Sequence, residues 1–403
     1  MITVEEHLGA ILRQVRRLES ETVSLREAAQ RTLAAPVVAA VDIPPFDNSA
    51  MDGFAVRFED VTDAPVTLTV VADVPAGSPL DPPMHAGEAS RIMTGAPVPT
   101  DADAIVPFEE TAGGLADSLG TVTVETAPAR RGMHIRRRGD DLVAGDEVMP
   151  AGILLGPLQL GAAAAAGIAE VTVSRAPRVA IISTGDELVS PGLPLERGQI
   201  PESNAQLLAG LVRDAGAQLV LTISVTDDPA DFRAALQTAS ECDAIITSGG
   251  VSAGAYEVVK QALTGEIDFV KVAMQPGKPQ AFGRLDSGAL LFGLPGNPVS
   301  VAVSFEVFVR PALLAMQGRG DIHRSIIRLP AATGWSTSRP RRQYLPVAID
   351  RTDAARWTIR PATAGGSKSH LAGGLAQAEA YAVIPAELPA VATGDLVDVL
   401  LLS

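Results

Sequence analysis

Between residues 176 and about 320, short aliphatic runs alternate with segments of helical periodicity, and few folds accept that pattern. Val179-Ala180-Ile181-Ile182 is a short apolar run of the kind that makes a buried strand. Ser203 or Asn204 then caps a helix carrying Leu207, Leu208, Leu211 and Val212, with Gly216 just past its end. A strand is predicted over 218–225, a helix over 229–240 and a strand at Ala244-Ile245-Ile246. A helix near 256–263, strands near 268–274 and 289–292, and a helix from Pro298 complete the alternation. Such alternation predicts a parallel sheet covered on both faces. Ligands on these sheets bind outside the carboxyl ends of the strands, so chemistry is expected in the loops there.

Three of those loops have unusual content. They are Ser183-Thr184-Gly185-Asp186-Glu187, Thr247-Ser248-Gly249-Gly250-Val251-Ser252-Ala253-Gly254, and Gly293-Leu294-Pro295-Gly296-Asn297-Pro298, the last directly before a helix. Successive glycines let backbone N–H groups turn inward as an anion nest, and a helix N-terminus adds a favourable dipole. One Gly-rich turn is only a tight turn, but three at one sheet edge predict a phosphate-binding rim. Gly277-Lys278 is followed by Pro279, so the rim is not a P-loop. Asp186, Glu187, Asp227, Asp228, Asp140, Asp141 and Glu257 accompany the loops. Carboxylates beside a phosphate nest suggest Mg²⁺-assisted chemistry. The plainer alternative is solvated acids, with Asp228-Pro229 capping the next helix.

The flanking regions read differently. Thr3 and Glu6 form a capping-box pattern before Leu8, Ile11, Leu12, Val15 and Leu18, and Ser24 and Glu27 repeat it before a second short helix through Leu33. From Pro36 the texture becomes Val-rich runs broken by Gly and Pro, with strands at Val66–Val70 and Val122–Val124. GPLQLGAAAAAGIAEV reads as a helix that packs back against the N-terminal helices. The expected organisation is multidomain. Residues 1–45 plus 141–175 form a discontinuous helical linker domain, and 46–140 an inserted β-rich domain. Residues 176–325 form the parallel-sheet α/β domain and 326–403 a small C-terminal β domain.

Composition narrows the function classes. A formal charge of −15 disfavours duplex DNA and anionic membranes, although the local run Arg136-Arg137-Arg138 can still attract small anions. Cys242 is the only cysteine, so intrachain disulfides and Cys-rich zinc sites are excluded. The start MITVEEHLGA lacks a secretory pattern, and apolar runs break before ~18 residues, so a cytoplasmic protein without a membrane span is expected. His7, His85, His134, His323 and His370 show no metal-ligand spacing, and no Ser–His–Asp arrangement is visible. Asp47–Gly53 and Arg91–Ala96 are small polar loops that turn chemistry alone would explain.

PPFDNSAMDGFAV, RIMTGAPVPTDADAIVPFEE, RRRGDDL, STGDEL, TSGGVSAG, PGKPQAFG, GLPGNPVS and GSKSH occur here in the order found in the MoeA family of molybdopterin molybdenumtransferases. The sequence also resembles the E domain of gephyrin. The resemblance spans the whole chain. It implies a molybdopterin-binding α/β domain, a C-terminal small β-barrel, and an elongated homodimer whose cleft lies between the α/β domain of one subunit and the β-rich domain of the other. It implies that adenylylated molybdopterin and molybdate react with Mg²⁺ to give molybdenum cofactor and AMP. The molybdopterin adenylyltransferase and apo-molybdoenzymes are the implied partners, with no nucleic acid or membrane. By motif, Asp52 and Thr94 face the cleft from the β-rich domain. Asp141, Glu187, Asp227 and Glu257 are its acidic members, and Lys278, Pro295, Pro298 and Ser369 also match. Glu187, Asp227, Asp52 and Lys278 are the expected catalytic residues, with Glu187 and Asp227 on the metal. Thr94, Asp141, Ser248, Gly249, Gly250, Ser252, Glu257, Pro295, Gly296, Asn297, Pro298 and Ser369 are the expected substrate contacts. Glu257 stands where the family often has Asp, and Gln275 where it often has a second Lys. Arg341 and Arg342 lie where it tends to have a basic residue. The rival readings are the adenylyltransferase, which needs only the α/β domain, and a non-catalytic dimeric scaffold or cofactor carrier.

Overall fold

The computed structural model describes residues 1–114, 119–251, 258–337, 340–363 and 372–402. Its central layer is a six-stranded sheet in the order Gln218–Val225, Arg178–Thr184, Ala244–Ser248, Leu290–Leu294, Pro279–Arg284, Asp268–Lys271. The first four strands are parallel and the last two run antiparallel to their neighbours. The expected parallel sheet therefore carries an antiparallel edge. The Pro279–Arg284 strand escaped prediction because Pro279, Gln280 and Gly283 interrupt any aliphatic run. Along Arg178–Thr184 the side chains alternate between two cores. Val179 and Ile181 pack under the helices Asn204–Asp214 and Pro298–Ser304, while Ala180 and Ile182 pack under Pro229–Thr238 and Val258–Leu263. Burial on both faces explains why this strand reads as a continuous apolar run.

Behind the first core lies the continuous helix Pro298–Met316, which is 19 residues long with a mean hydropathy of 1.7. It is long and apolar enough to cross a bilayer, yet 83% of its most apolar window is buried in the layer. Pro311 lacks an N–H and would clash with a preceding carbonyl in a regular helix; the π-helical turn Phe305–Val309 just upstream absorbs the irregularity. Glu306 in that turn is buried and bonds Arg324 at 2.6 Å, with Arg310 at 3.4 Å.

The first helix, Val4–Gln14, forms with its Thr3–Glu6 capping box intact. It packs on the α/β layer through Val4 and Ile11. The predicted second helix does not form. Ser24 and Glu27 do exchange the capping hydrogen bonds, but Gln30 is left-handed (φ 62°) and the segment is a turn. Ser20–Ser24 is instead a strand paired antiparallel with Glu170–Ser174. The Ala-rich helix Pro157–Ala165 thus packs with residues 28–37, through Ala28, Leu33 and Val37, and not with the first helix.

The β-rich module is a six-stranded sheet ordered Ala104–Pro107, Gly53–Val56, Glu88–Ile92, Val66–Val74, Gly120–Val124, Thr111–Ala112. Its cores contain no residue of the α/β layer. In the C-terminal module, Ile326–Pro330, Leu396–Leu401, Ala380–Ile384, Arg342–Asp350 and Thr358–Pro361 pair successively and antiparallel. A single bridge from Ala331 to Ile359 closes them into a small barrel. The strand expected over 268–274 divides, because Met274–Gln275 leaves the α/β sheet and pairs with Arg342 and Gln343.

Candidate functional site

Arg178–Thr184, Ala244–Ser248 and Leu290–Leu294 are adjacent parallel strands, so the three glycine-bearing loops do emerge side by side at their carboxyl ends. They enclose a cavity of ≈ 280 Å³ whose wall includes Glu187, Glu202, Asn204, Ser248, Gly249 and Asn297. Gly296 and Pro298 also line it, and Pro295 is buried behind them. Glu187 is exposed at the mouth, its carboxylate folded over Gly185, whose φ of +149° and missing Cβ make room for it. A Cβ on Gly249 (φ +97°) would stand 2.8 Å from the Thr184 carbonyl oxygen, so only glycine lets these two loops approach.

The expected anion nest is only partly available. The Gly249 N–H donates to the Leu294 carbonyl at 3.1 Å and the Gly185 N–H to the Val225 carbonyl at 3.3 Å, so both are engaged by main chain. Among the described residues the cavity wall carries no Lys or Arg, and it carries two carboxylates. Lys278 lies elsewhere, in a second cavity of ≈ 330 Å³ that it shares with Lys260, Lys271 and Val251. Val251 belongs to the same loop as Ser248 and Gly249, so that loop borders both cavities. Gly250 (φ +67°) sits between, its carbonyl accepting from Lys260 N–H at 3.3 Å.

Asp227 is half-buried at the end of the neighbouring strand, and its N–H donates to the Asp186 carboxylate at 3.2 Å, tying the two acidic loops together. Asp228 caps the following helix by accepting from Ala230 N–H at 2.8 Å, so the capping alternative holds for that residue. Asp52 and Thr94 meet in the β-rich module. The Thr94 N–H and then its hydroxyl hold the Asp52 carboxyl below its ordinary range. Asp141 is exposed, with its N–H donated to the Ile43 carbonyl at 2.9 Å. Ser252, Glu257 and Ser369 lie outside the described residues. Among the described residues no group of three or more His, Cys, Asp or Glu could hold a metal by itself.

Sequence reasoning missed Glu202. It is buried and accepts from the Ser183 hydroxyl at 3.0 Å and from the Ala205 N–H at 2.9 and 3.1 Å. It thereby does the capping work expected of Ser203, which occupies the N-cap position without a side-chain bond. Asn204, expected only as a cap, donates its amide to the Gly296 carbonyl at 2.7 Å. The one available signal was the polar run Pro201-Glu202-Ser203-Asn204 set immediately before an apolar helix.

Comparison with known proteins agrees with this architecture. Residues 2–167 match the model of the MoeA N-terminal region (domains I and II), 180–315 that of a probable molybdopterin binding domain, and 328–402 that of the MoeA C-terminal region (domain IV). Molybdopterin molybdenumtransferase 2 of Mycobacterium tuberculosis is 44% identical over 99% of both chains. The molybdopterin molybdenumtransferase of Haemophilus influenzae is 38% identical over 79% of this chain and 78% of its own. A molybdopterin biosynthesis MoeA protein of Pyrococcus horikoshii superposes with a TM-score of 0.83 at 28% identity, covering 100% of both chains. On these grounds the chain belongs to the MoeA family of molybdopterin molybdenumtransferases.

Proposed function

We propose that the chain inserts molybdenum into adenylylated molybdopterin, consuming molybdate and releasing AMP. The observation that carries this reading is the open cavity at the carboxyl ends of three adjacent parallel strands, with Glu187 at its mouth and Lys278 across the Ser248–Val251 loop. Carboxylates and cations so divided suit a substrate in which an uncharged heterocycle lies to one side of a phosphoanhydride.

The residues present fit Mg²⁺. This ion takes one or two carboxylates and fills its remaining positions with phosphate oxygens and water, and Glu187 with the linked Asp186–Asp227 pair supplies such oxygens. Glu187 and Asp227 would hold it, and when bound it supplies charge neutralisation at the phosphates. Lys278 holds the anionic end of the substrate, while the cavity wall keeps the rest oriented and excludes water. Asp52 and Thr94 complete the cleft from the β-rich module of a second copy. A homodimer also gives a partner to the outward face of the Pro157–Ala165 helix, where Leu158 is 83% exposed beside exposed Gly161, Ala162 and Ala165. A cytoplasmic setting suits a chain with one cysteine, buried and unpaired, and hand-over from an adenylyltransferase and to apo-molybdoenzymes follows from the chemistry.

The test combines purified protein, adenylylated molybdopterin, Mg²⁺ and molybdate, and follows AMP release and reconstitution of an apo-molybdoenzyme. AMP and active cofactor should both require molybdate and disappear in Glu187→Gln. Binding of the adenylylated substrate without turnover would overturn the enzyme reading in favour of a carrier.

A further inference from the structure

The cavity beside Glu187 has a hydrogen-bond polarity, and one buried carboxylate sets the Ser248 part of it. Glu202 is only 7% exposed and a carboxylate can only accept. The Ser183 hydroxyl, 3.0 Å from Glu202 Oε1, must therefore donate its single proton there. Ser248 Oγ lies 3.4 Å from Ser183 Oγ, and since the Ser183 proton is committed, the proton between them comes from Ser248. Ser248, which lines the cavity, is left with lone pairs only. Asn204 is fixed in the same sense. Its amide nitrogen donates to the Gly296 carbonyl at 2.7 Å, which orients Oδ1 as the free end, and that oxygen is buried with no partner. Thr184 Oγ1, on the same wall, is also buried without a partner. Buried polar atoms left unpaired cost stability, so a wall of them marks a surface made for a ligand.

Charge points the same way. Among the described residues no Lys or Arg lines this cavity, while Glu187 and Glu202 do. A phosphate here would face carboxylates and lone pairs. Its natural place is across the loop, where Lys260, Lys271 and Lys278, three of the chain's four lysines, line a cavity with no carboxylate among the described residues.

We infer that Glu202 is a positioning residue that, through Ser183, locks Ser248 as an acceptor beside the Gly296-held Asn204, so that this cavity takes a flat heterocycle edge bearing N–H donors, such as the amino–amide edge of a pterin. This rests on the proposed function only for the identity of the heterocycle. The polarity itself comes from Glu202, Ser183, Ser248 and Asn204. A site built to bond a donor rejects the analogue lacking it far more strongly than an apolar pocket rejects a change of size.

The experiment uses the full-length protein and two small probes, 6-hydroxymethylpterin and the matching lumazine, in which a carbonyl replaces the 2-amino group. Affinities are read from probe fluorescence. The unmodified protein should prefer the pterin by at least about tenfold. Ser183→Ala breaks the relay without touching the cavity wall, frees the Ser248 proton, and should cut the preference at least about threefold, the Asn204 acceptor remaining. Glu202→Gln should do the same, because its amide N–H would oppose the Ala205 N–H; Ser183→Ala keeps the test open should that variant fold poorly. Equal affinity for the two probes in the unmodified protein would overturn the inference. So would an undiminished preference in Ser183→Ala. Turnover is not needed for these readings. Loss of discrimination in an active enzyme therefore sinks the inference alone, and discrimination without AMP release sinks only the proposed reaction.

Discussion

The main-chain N–H of Thr94 donates to the Asp52 carboxylate at 2.6 Å, joining two loops that lie 42 residues apart in sequence. Both residues belong to a module whose cores share nothing with the α/β layer, and the proposed function brings them to Glu187 through a second copy of the chain. That arrangement has a signature. Asp52→Asn and Glu187→Gln homodimers should each lose turnover with unchanged melting. A heterodimer of the two carries one intact cleft and one doubly altered one. Random co-assembly should therefore restore about a quarter of normal activity. No recovery on co-expression, with heterodimers verified by tag, would place both residues in a cleft made by one chain.

Gly185→Ala separates the site from the fold. Its Cβ would stand 2.8 Å from Glu187 Cδ, at a φ of +149° that an L side chain rarely adopts. The obstructing group is the end of a flexible, exposed side chain, so it swings away at a cost of about 1 kcal/mol or a little more, mostly backbone strain. Glu187 is then displaced from the cavity mouth. Turnover should fall at least about tenfold while the urea midpoint barely moves. Unchanged turnover would mean that the present position of Glu187 is not the working one.

Much of this is legible in the sequence, for a physical reason. The unbroken apolar run Val179–Ile182 and the 3.6-residue period of Leu207–Val212 belong to one element each, so local reading suffices. What escaped depends on partners far away in sequence. Pro279–Arg284 is a strand only because Leu290–Leu294 and Asp268–Lys271 flank it. The Ser24–Glu27 capping bonds form at the end of a strand whose partner lies near residue 172. The site shows the same divide. Three glycine loops are expected side by side at one sheet edge, and they lie there. Whether Gly185 and Gly249 offer their N–H groups to a ligand depends on Val225 and Leu294, which no motif records.

Glu306 is the one carboxylate in the α/β layer's long helix, its side chain 1% exposed, and it is shared by Arg324 and Arg310. Removing one partner of a buried charge group leaves the others uncompensated. Glu306→Ala should cost roughly 3–5 kcal/mol, seen as a large drop in the urea midpoint. Arg324→Ala should cost less, because Arg324 is partly exposed and Glu306 keeps Arg310. Equal losses would mean that packing around the helix, and not charge compensation, dominates there.

His7 gives the fold a dependence on pH. It is 4% exposed, edge-on to Phe308 at 4.7 Å between ring centroids, and burial pushes its imidazole down to about 4 against the opposing charge of Asp268. The folded state thus keeps it neutral where the unfolded chain, with an ordinary value of 6.5, takes up a proton. Stability from this residue is complete above pH 6.5 and is lost as pH falls from 6.5 toward 4, amounting to about 3 kcal/mol at the lower limit. The carboxyls of Asp42, Asp47, Asp52 and Asp73 are held below their ordinary range and add little slope above pH 5. Urea midpoints should therefore fall between pH 7 and pH 5 in the unmodified protein, and much less in His7→Leu. An identical slope in both would show that the His7 side chain reaches water when protonated and that its burial is not maintained at low pH.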